Sequence, residues 1–425
     1  MNTPIARIAN ALRKPVTATS GLALVLALPL AAQRAQPPCA PDNGGFTLPK
    51  GFCAMLVAES LGSVRHLVVA PNGDIWAARN RQEGGLFVLR DTTGDGKVDQ
   101  VKRFYSAQGG GSGVALGKDA LYFASDDRVV RFAWPAGRPE PDSMPTIVVR
   151  GLPVGGHSAK GIAIGRDGRL YVSIGSLTNS CQQRDRQNNS AGHQPCTELE
   201  QRAGVWRFDP VKEGQAAHLA ARVATGLRNP MAVSIEPTTG ALYAGVHGRD
   251  QLTENWGWPP ESGRENPAEV VFALPDGTDG GWPYCYYDPR AKKRLQNPEY
   301  GGDGSKVEDC EKRMALPALA FPAHWAPNST MFYTGSQFPA AYRNGLFVAF
   351  HGSWNRGTTP DAQEGFRVVF APFKDGKALG TYETFAAPSG APYSIRPTGL
   401  AVGPDGSLYI GADREGKIWR VMYTP

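Results

Sequence analysis

Short apolar runs broken by Gly, Asp, Asn and Pro recur along most of the chain, and the clearest pair lies at Ile162-Ala-Ile-Gly-Arg-Asp-Gly-Arg-Leu-Tyr-Val-Ser-Ile174. Ile162, Ile164 and Leu170 to Ile174 predict two short strands, and Gly165-Arg-Asp-Gly168 has the chemistry that lets a backbone reverse between them. The same hairpin pattern returns at Leu67 to Trp76, Val114 to Tyr122, Ala232 to Tyr243, Tyr342 to Val348 and Leu400 to Tyr409. The aromatic positions Trp76, Tyr122, Tyr171, Tyr243, Phe347 and Tyr409 are 46, 49, 72, 104 and 62 residues apart. The shortest spacing is that of one four-stranded blade, and the excess is insertion. The pattern therefore predicts an all-β, six-bladed β-propeller over residues 36–425, its core formed where blades stack, because no single repeat can bury its apolar face alone.

The first 35 residues do not follow this pattern. Arg7, Arg13 and Lys14 precede an apolar run from Gly21 to Leu30, and Ala31-Ala32 supply small residues for cleavage, which predicts a signal peptide. The run is shorter than the roughly 18 residues that span a bilayer, so the expectation is a periplasmic or secreted protein and not an integral membrane protein. Without those three cations the formal net charge falls from +6 to +3, since residues 1–32 hold no acids. With no block or aromatic-interleaved stripe of Lys and Arg, this excludes nucleic acid as an expected partner. The six cysteines fall into three near-neighbour pairs. Of fifteen connectivities, clustering and short loop closure favour Cys39–Cys53, Cys181–Cys196 and Cys285–Cys310, in keeping with an oxidising compartment. None has zinc-ligand spacing.

Two stretches invite a ligand reading. Asp91-Thr-Thr-Gly-Asp-Gly-Lys-Val-Asp99 places Asp91, Asp95 and Asp99 at the first, fifth and ninth places of a calcium loop, with Gly96 at the sixth, but Lys102 stands where the closing Glu belongs. It reads equally as a structural calcium site or as a solvated turn. Gly109-Gly-Gly-Ser-Gly113 lacks the following Lys-Ser/Thr of a phosphate cradle and reads as a loop. Neither a Gly-x-Ser-x-Gly elbow nor a His-Glu-x-x-His helix occurs, which argues against serine or zinc hydrolase chemistry.

More informative are the positions at the start of each repeat: Arg65-His66, Ser112, His157, Arg228-Asn229, Asn328 and Arg396. In a propeller these ends ring the mouth of the central channel. Arginines, amides and a histidine converging there predict a cationic pocket for a small polyanion, although any one of them could instead cap a blade.

Thr225-Gly-Leu-Arg-Asn-Pro230, the Gly-His…Ile-Gly-Arg-Asp-Gly-Arg-Leu-Tyr stretch from Gly156, Gly280-Gly-Trp-Pro-Tyr-Cys285, His351-Gly-Ser-Trp-Asn-Arg356 and Arg396-Pro-Thr-Gly…Asp405-Gly-Ser-Leu-Tyr409 resemble the L-sorbosone dehydrogenase-like relatives of soluble quinoprotein glucose dehydrogenase, over roughly residues 45–423. The resemblance implies a six-bladed propeller that carries pyrroloquinoline quinone (PQQ) and calcium over the channel and oxidises a sugar or sugar aldehyde. It implies His157 as general base, Arg228 beside the reacting quinone carbonyl and Asn229 as a cofactor contact. It implies the backbone carbonyls of Gly248 and Arg249 as calcium ligands. His247 stands just before them, where glucose dehydrogenase has glutamine. Arg396 and Arg356 are expected as carboxylate partners of the cofactor and Trp354 as a stacking face.

The residue types suit the chemistry. A hydride leaves a sugar C1 only if the hydroxyl proton is taken up as the C–H bond breaks, and a neutral imidazole titrating near pH 7 suits that task. A guanidinium stabilises charge building on the quinone oxygen, and calcium polarises the ring. A secreted propeller lactonase is the competing enzyme class, and a non-catalytic propeller binding module is the third reading. The long stretches from Gln251 to Lys306 and from Gly357 to Ala391 are expected to form loops that choose the sugar. The electron acceptor, a cytochrome or the quinone pool, has no signature in the sequence.

Overall fold

A computed structural model describes residues 39–425 apart from 82–83, 358 and 360–362. The expected signal peptide lies outside the described residues. Six sheets form a six-bladed propeller, and the α-helices among the described residues are three short ones, Leu252–Trp256, Pro260–Glu265 and Cys310–Arg313. The repeat is plainest in the third blade, where Ile162–Ile164, Leu170–Ile174, Gly204–Phe208 and Arg222–Thr225 run antiparallel and Ala163 faces Tyr171. The six aromatics of the sequence pattern occupy the second or third place of the second strand in every blade, and all are buried. There each fills the space between stacked blades, a burial worth on the order of 1.5–3 kcal/mol per side chain.

The ring is closed by the start of the chain. Phe52–Ala58 pairs antiparallel with Lys417–Tyr423, so the last blade takes its outer strand from the amino-terminal side. Disulfides join Cys39 to Cys53, Cys181 to Cys196 and Cys285 to Cys310, with Cα separations of 5.7, 6.1 and 5.7 Å.

Two expectations are corrected. Tyr342 to Asn344 is not the turn of a tight hairpin. The first strand of the fifth blade is Pro327–Phe332, and residues 333–345 intervene before Leu346–His351. Tyr342 packs instead into an aromatic cluster with Phe52, Phe347 and Phe385. The two expected insert loops also contain blade strands: Glu269–Ala273 is the third strand of the fourth blade, while Phe366–Ala371 and Glu383–Pro388 are the outer strands of the fifth. What is inserted in the fourth blade is residues 274–318, which carry the hairpin Cys285–Asp288 and Lys293–Gln296.

Candidate active site

The first strands of the blades pack against one another around the channel, and residues near their starts enclose a cavity of about 420 Å³. His157 enters it from the loop before Ile162–Ile164. Gly155 and Gly156, with φ of 80° and 58°, turn the backbone there, and Gly175 leaves room for the ring, since a Cβ on it would stand 2.5 Å from His157 Cβ. The His157 amide donates to the Ser176 carbonyl at 2.9 Å. Nδ1 lies 3.0 Å from both the carbonyl and the hydroxyl oxygen of Ser176, whose own proton goes to Thr178 O at 2.7 Å. Two acceptors at one nitrogen fix the tautomer: Nδ1 carries the hydrogen, and Nε2 is left with a free lone pair and no hydrogen-bond partner among the described residues. Burial, with the nearby Arg228 charge adding to it, pushes the His157 pKa down to about 3. The imidazole is thus neutral at pH 7, but by a wider margin than the value near neutrality expected from sequence.

Arg228, only 4% exposed, is held on three sides. Nε donates to Asn179 O at 3.1 Å, Nη1 to Gly248 O at 2.6 Å, and Nη2 to Asn179 Oδ1 and Asp250 Oδ2 at 3.0 and 3.1 Å. Four of its five N–H hydrogens are used. The fifth, on Nη1, has no hydrogen-bond partner among the described residues, and Arg228 lines the cavity. Burial favours a neutral Asp250, but Arg228, His324 and Arg186 outweigh it and hold the carboxyl well below the usual carboxylate range. Burial likewise opposes a charge on His324, and Asp250 reverses this and raises its pKa. Glu269, which accepts from the Gly248 amide at 3.0 Å, is pushed up to about 7 by burial.

Asn229 also lines the cavity and donates from Nδ2 to His247 Nδ1 at 3.4 Å, while His247 Nε2 donates to Pro327 O at 3.0 Å. Burial, then Arg228, push His247 down to about 3. Trp354 stands at the cavity with 65% of its surface exposed, and Gly248 is part of the wall.

Other expected site residues lie elsewhere. Arg356 is buried away from the cavity, donating to Arg264 O, Ala323 O and Glu265 Oε1. Arg396 sits behind His351 and 3.5 Å from Asp413 rather than in the cavity wall. The Arg249 side chain turns away to an ion pair with Glu299 at 2.6 Å, both groups fully buried. His66 and Ser112, expected at the channel mouth, are buried outside the cavity wall, His66 Nε2 lying 2.7 Å from Asn328 O. Asp91, Asp95 and Asp99 share one loop on the first blade, but their oxygens accept from that loop's own groups, Asp91 from Gly94 N and Gly96 N, Asp95 from Lys97 N and Asp99 from Thr92 N and Thr93 N. Among the described residues no three His, Cys, Asp or Glu side chains group as a metal-holding cluster.

The pocket expected to be cationic is mixed. Asp250, Glu269, His324 and Arg186 carry no signal in the repeat pattern, yet all four line it. Asp250 was within reach, one residue beyond the matched stretch ending at Arg249, whereas Glu269 lies on a strand read as loop.

The residues fit PQQ, a flat quinone bearing three carboxylates. Arg65, Arg186 and Arg228 supply cations, Trp354 a planar face, and Asn229, Asn328 and Asn355 amides. Among the described residues Arg65 Nε and Asn355 Oδ1 are buried without a hydrogen-bond partner, as at a site that awaits a polar ligand. The Gly248 carbonyl, one of the two expected calcium ligands, accepts one guanidinium hydrogen from Arg228 at 2.6 Å, which leaves it a second lone pair.

The fold and this cavity define a six-bladed propeller with a charged, polar pocket at its central channel. The sequence profile of the family described as TrAA12-like matches residues 46–424, so the chain belongs to that family. It is 28% identical over 240 residues to a pyrroloquinoline quinone-dependent pyranose dehydrogenase of Coprinopsis cinerea, a match covering 46% of this chain and 30% of that protein. It is also 28% identical over 212 residues to an uncharacterized protein of Borreliella burgdorferi, covering 47% of this chain and 48% of that one. The matches thus span less than half the length of these curated relatives. Among solved structures, the calcium structure of Trichoderma reesei carbohydrate-active enzyme family AA12 superposes with a TM-score of 0.73 at 18% identity, over 92% of this chain and 99% of that one. The holo PQQ domain of Coprinopsis cinerea pyranose dehydrogenase gives 0.72 at 19% identity, over 91% and 98%. At these identities the likeness shows a shared fold.

Proposed function

We propose that the protein is a PQQ-dependent oxidoreductase that oxidises a sugar or sugar aldehyde. The observation that carries this reading is the free Nε2 of a neutral His157 opening into the same cavity as the locked Arg228. Bound PQQ would accept a hydride from the sugar C1. His157 Nε2 takes the proton of the C1 hydroxyl as that C–H bond breaks, so that a hydride and a proton leave together and the carbonyl remains. Arg228, Arg65 and Arg186 attract the cofactor's carboxylates, and Trp354 offers a face to its ring. Arg228, held at four N–H groups before any ligand binds, would offer its remaining N–H to the negative charge that grows on the cofactor. Asp250, saturated by Arg228, Arg186, His324 and Asn355, is not free to ligate a catalytic metal, which disfavours the lactonase reading. The disulfides support a periplasmic or secreted location.

The test is a titration of purified protein with PQQ, run with and without calcium, followed by dye reduction with aldoses, sorbosone and oligosaccharides. Saturable binding with sugar-dependent dye reduction is expected; no binding under either condition refutes the reading.

A further inference from the structure

We propose that Asn179 is the positioning residue of this site: it fixes the Arg228 guanidinium from behind and so aims the one remaining N–H into the cavity. This rests on the reading of Arg228 as the group that meets the cofactor. Asn179 is 1% exposed and is not part of the cavity wall. Its backbone oxygen accepts from Arg228 Nε at 3.1 Å and from Trp282 Nε1 at 3.0 Å, and its amide donates to Asp185 Oδ1 at 2.9 Å. Its side chain is equally committed: Oδ1 accepts from Arg228 Nη2 at 3.0 Å and from Asp250 N at 2.9 Å, while Nδ2 donates to Asp250 O at 2.9 Å.

The orientation of the side-chain amide follows from these partners. Arg228 Nη2 and Asp250 N only donate and Asp250 O only accepts, so a flipped amide would set donor against donor twice and acceptor against acceptor once. One residue thereby holds two edges of Arg228 and both backbone groups of Asp250, the acid that pairs with Arg228 at 3.1 Å. Aspartate keeps the acceptor toward Arg228 but loses the donor; serine is too short to reach either. The loop is anchored in turn, because Cys181 two residues on is bridged to Cys196 and the Cys181 amide donates to Thr178 Oγ1. The guanidinium is thus pre-set before any ligand arrives, which lowers the cost of ordering it on binding.

The test uses Asn179→Ser, with Asn179→Asp as the isosteric variant. In the ligand-free protein, the Arg228 Nε–H resonance, assigned with Arg228→Lys, should exchange slowly with solvent. Asn179→Ser should speed that exchange by roughly tenfold or more and cut the single-turnover rate of PQQ reduction roughly 10–100-fold, with a smaller change in sugar KM. In an Arg228→Lys background the same substitution should change the rate less than about threefold, since its effect passes through Arg228. If Asn179→Ser does not fold, Asn179→Asp decides: its added carboxylate should shift the Nε–H resonance and weaken PQQ binding roughly tenfold. Unchanged exchange in Asn179→Ser, an equal rate loss in both backgrounds, or an unshifted resonance with unchanged affinity in Asn179→Asp overturns the proposal. If the wild type does not bind PQQ, the functional reading fails, and the exchange measurement still decides whether Asn179 holds Arg228.

Discussion

His157 and Arg228 show how little freedom the proposed chemistry leaves to single side chains. The ring of His157 is set by one carbonyl, one hydroxyl and the missing Cβ of Gly175. Gly175→Ala would push a methyl group to 2.5 Å from His157 Cβ and 2.6 Å from its carbonyl oxygen, so the loop must shift. Misplacement of this size in a base costs on the order of 10²-fold in rate, while the arginines that attract the cofactor are untouched. The expected outcome is slow PQQ reduction with near-normal PQQ affinity; unchanged reduction would show that the ring tolerates the shift. Arg396 and Arg356 teach the opposite lesson. Both are arginines in matched motifs, but acids and carbonyls behind the wall hold them, so residue type and motif alone did not reveal their partners.

At the scale of elements, the Asp91–Asp99 loop is already satisfied. Its carboxylates accept five backbone amides of the same turn, and the Thr92 hydroxyl, first among several donors, helps hold the Asp99 pKa low. A turn made this way needs no ion, so chelator should leave the melting temperature unchanged; a fall of several degrees would reveal a structural calcium. The hairpins of five blades were legible because tight turns leave Gly, Asp and Asn between alternating apolar residues, as at Ile162–Ile174. In the fifth blade that signal misled, because residues 333–345 separate the paired strands and the Asn344-Gly345 turn belongs to the loop. Outer strands such as Glu269–Ala273 were hidden for another reason: a five-residue apolar run without a tight turn carries no periodicity of its own, and only the ring shows which edge it completes. That concealment is also why Glu269 was missed.

At the scale of the molecule, closing the ring buries five histidines, and the four whose pKa it lowers make stability depend on pH. His66 and His351 are pushed down to about 4, and His157 and His247 to about 3, burial being the largest cause in each. Each refuses in the fold a proton that the unfolded chain accepts below its ordinary value near 6.5, so each contributes stability at neutral pH that is lost on acidification. Glu269, raised to about 7, works the other way, holding a proton that the unfolded chain gives up above about 4.5. His324, whose pKa is raised, is protonated in both states below 6.5 and adds nothing in that window. Asp279 and Glu415, which burial also raises, work in the same direction as Glu269. Four histidines against three carboxyls, the melting temperature should fall from about pH 6.5 to about pH 4.5, and a flat or rising profile by calorimetry would contradict the buried, neutral histidines. The central claim is that this ring holds a quinone whose reduction needs His157 as base. Stopped-flow reduction of PQQ-reconstituted wild type and His157→Ala by a good sugar substrate tests it most directly. The account predicts that His157→Ala binds PQQ as tightly as the wild type but reduces it roughly 10²–10⁴-fold more slowly, because a base that acts only while the C–H bond breaks contributes to the transition state alone. Reduction at the wild-type rate would contradict it and leave His157 as no more than a loop anchored to Ser176.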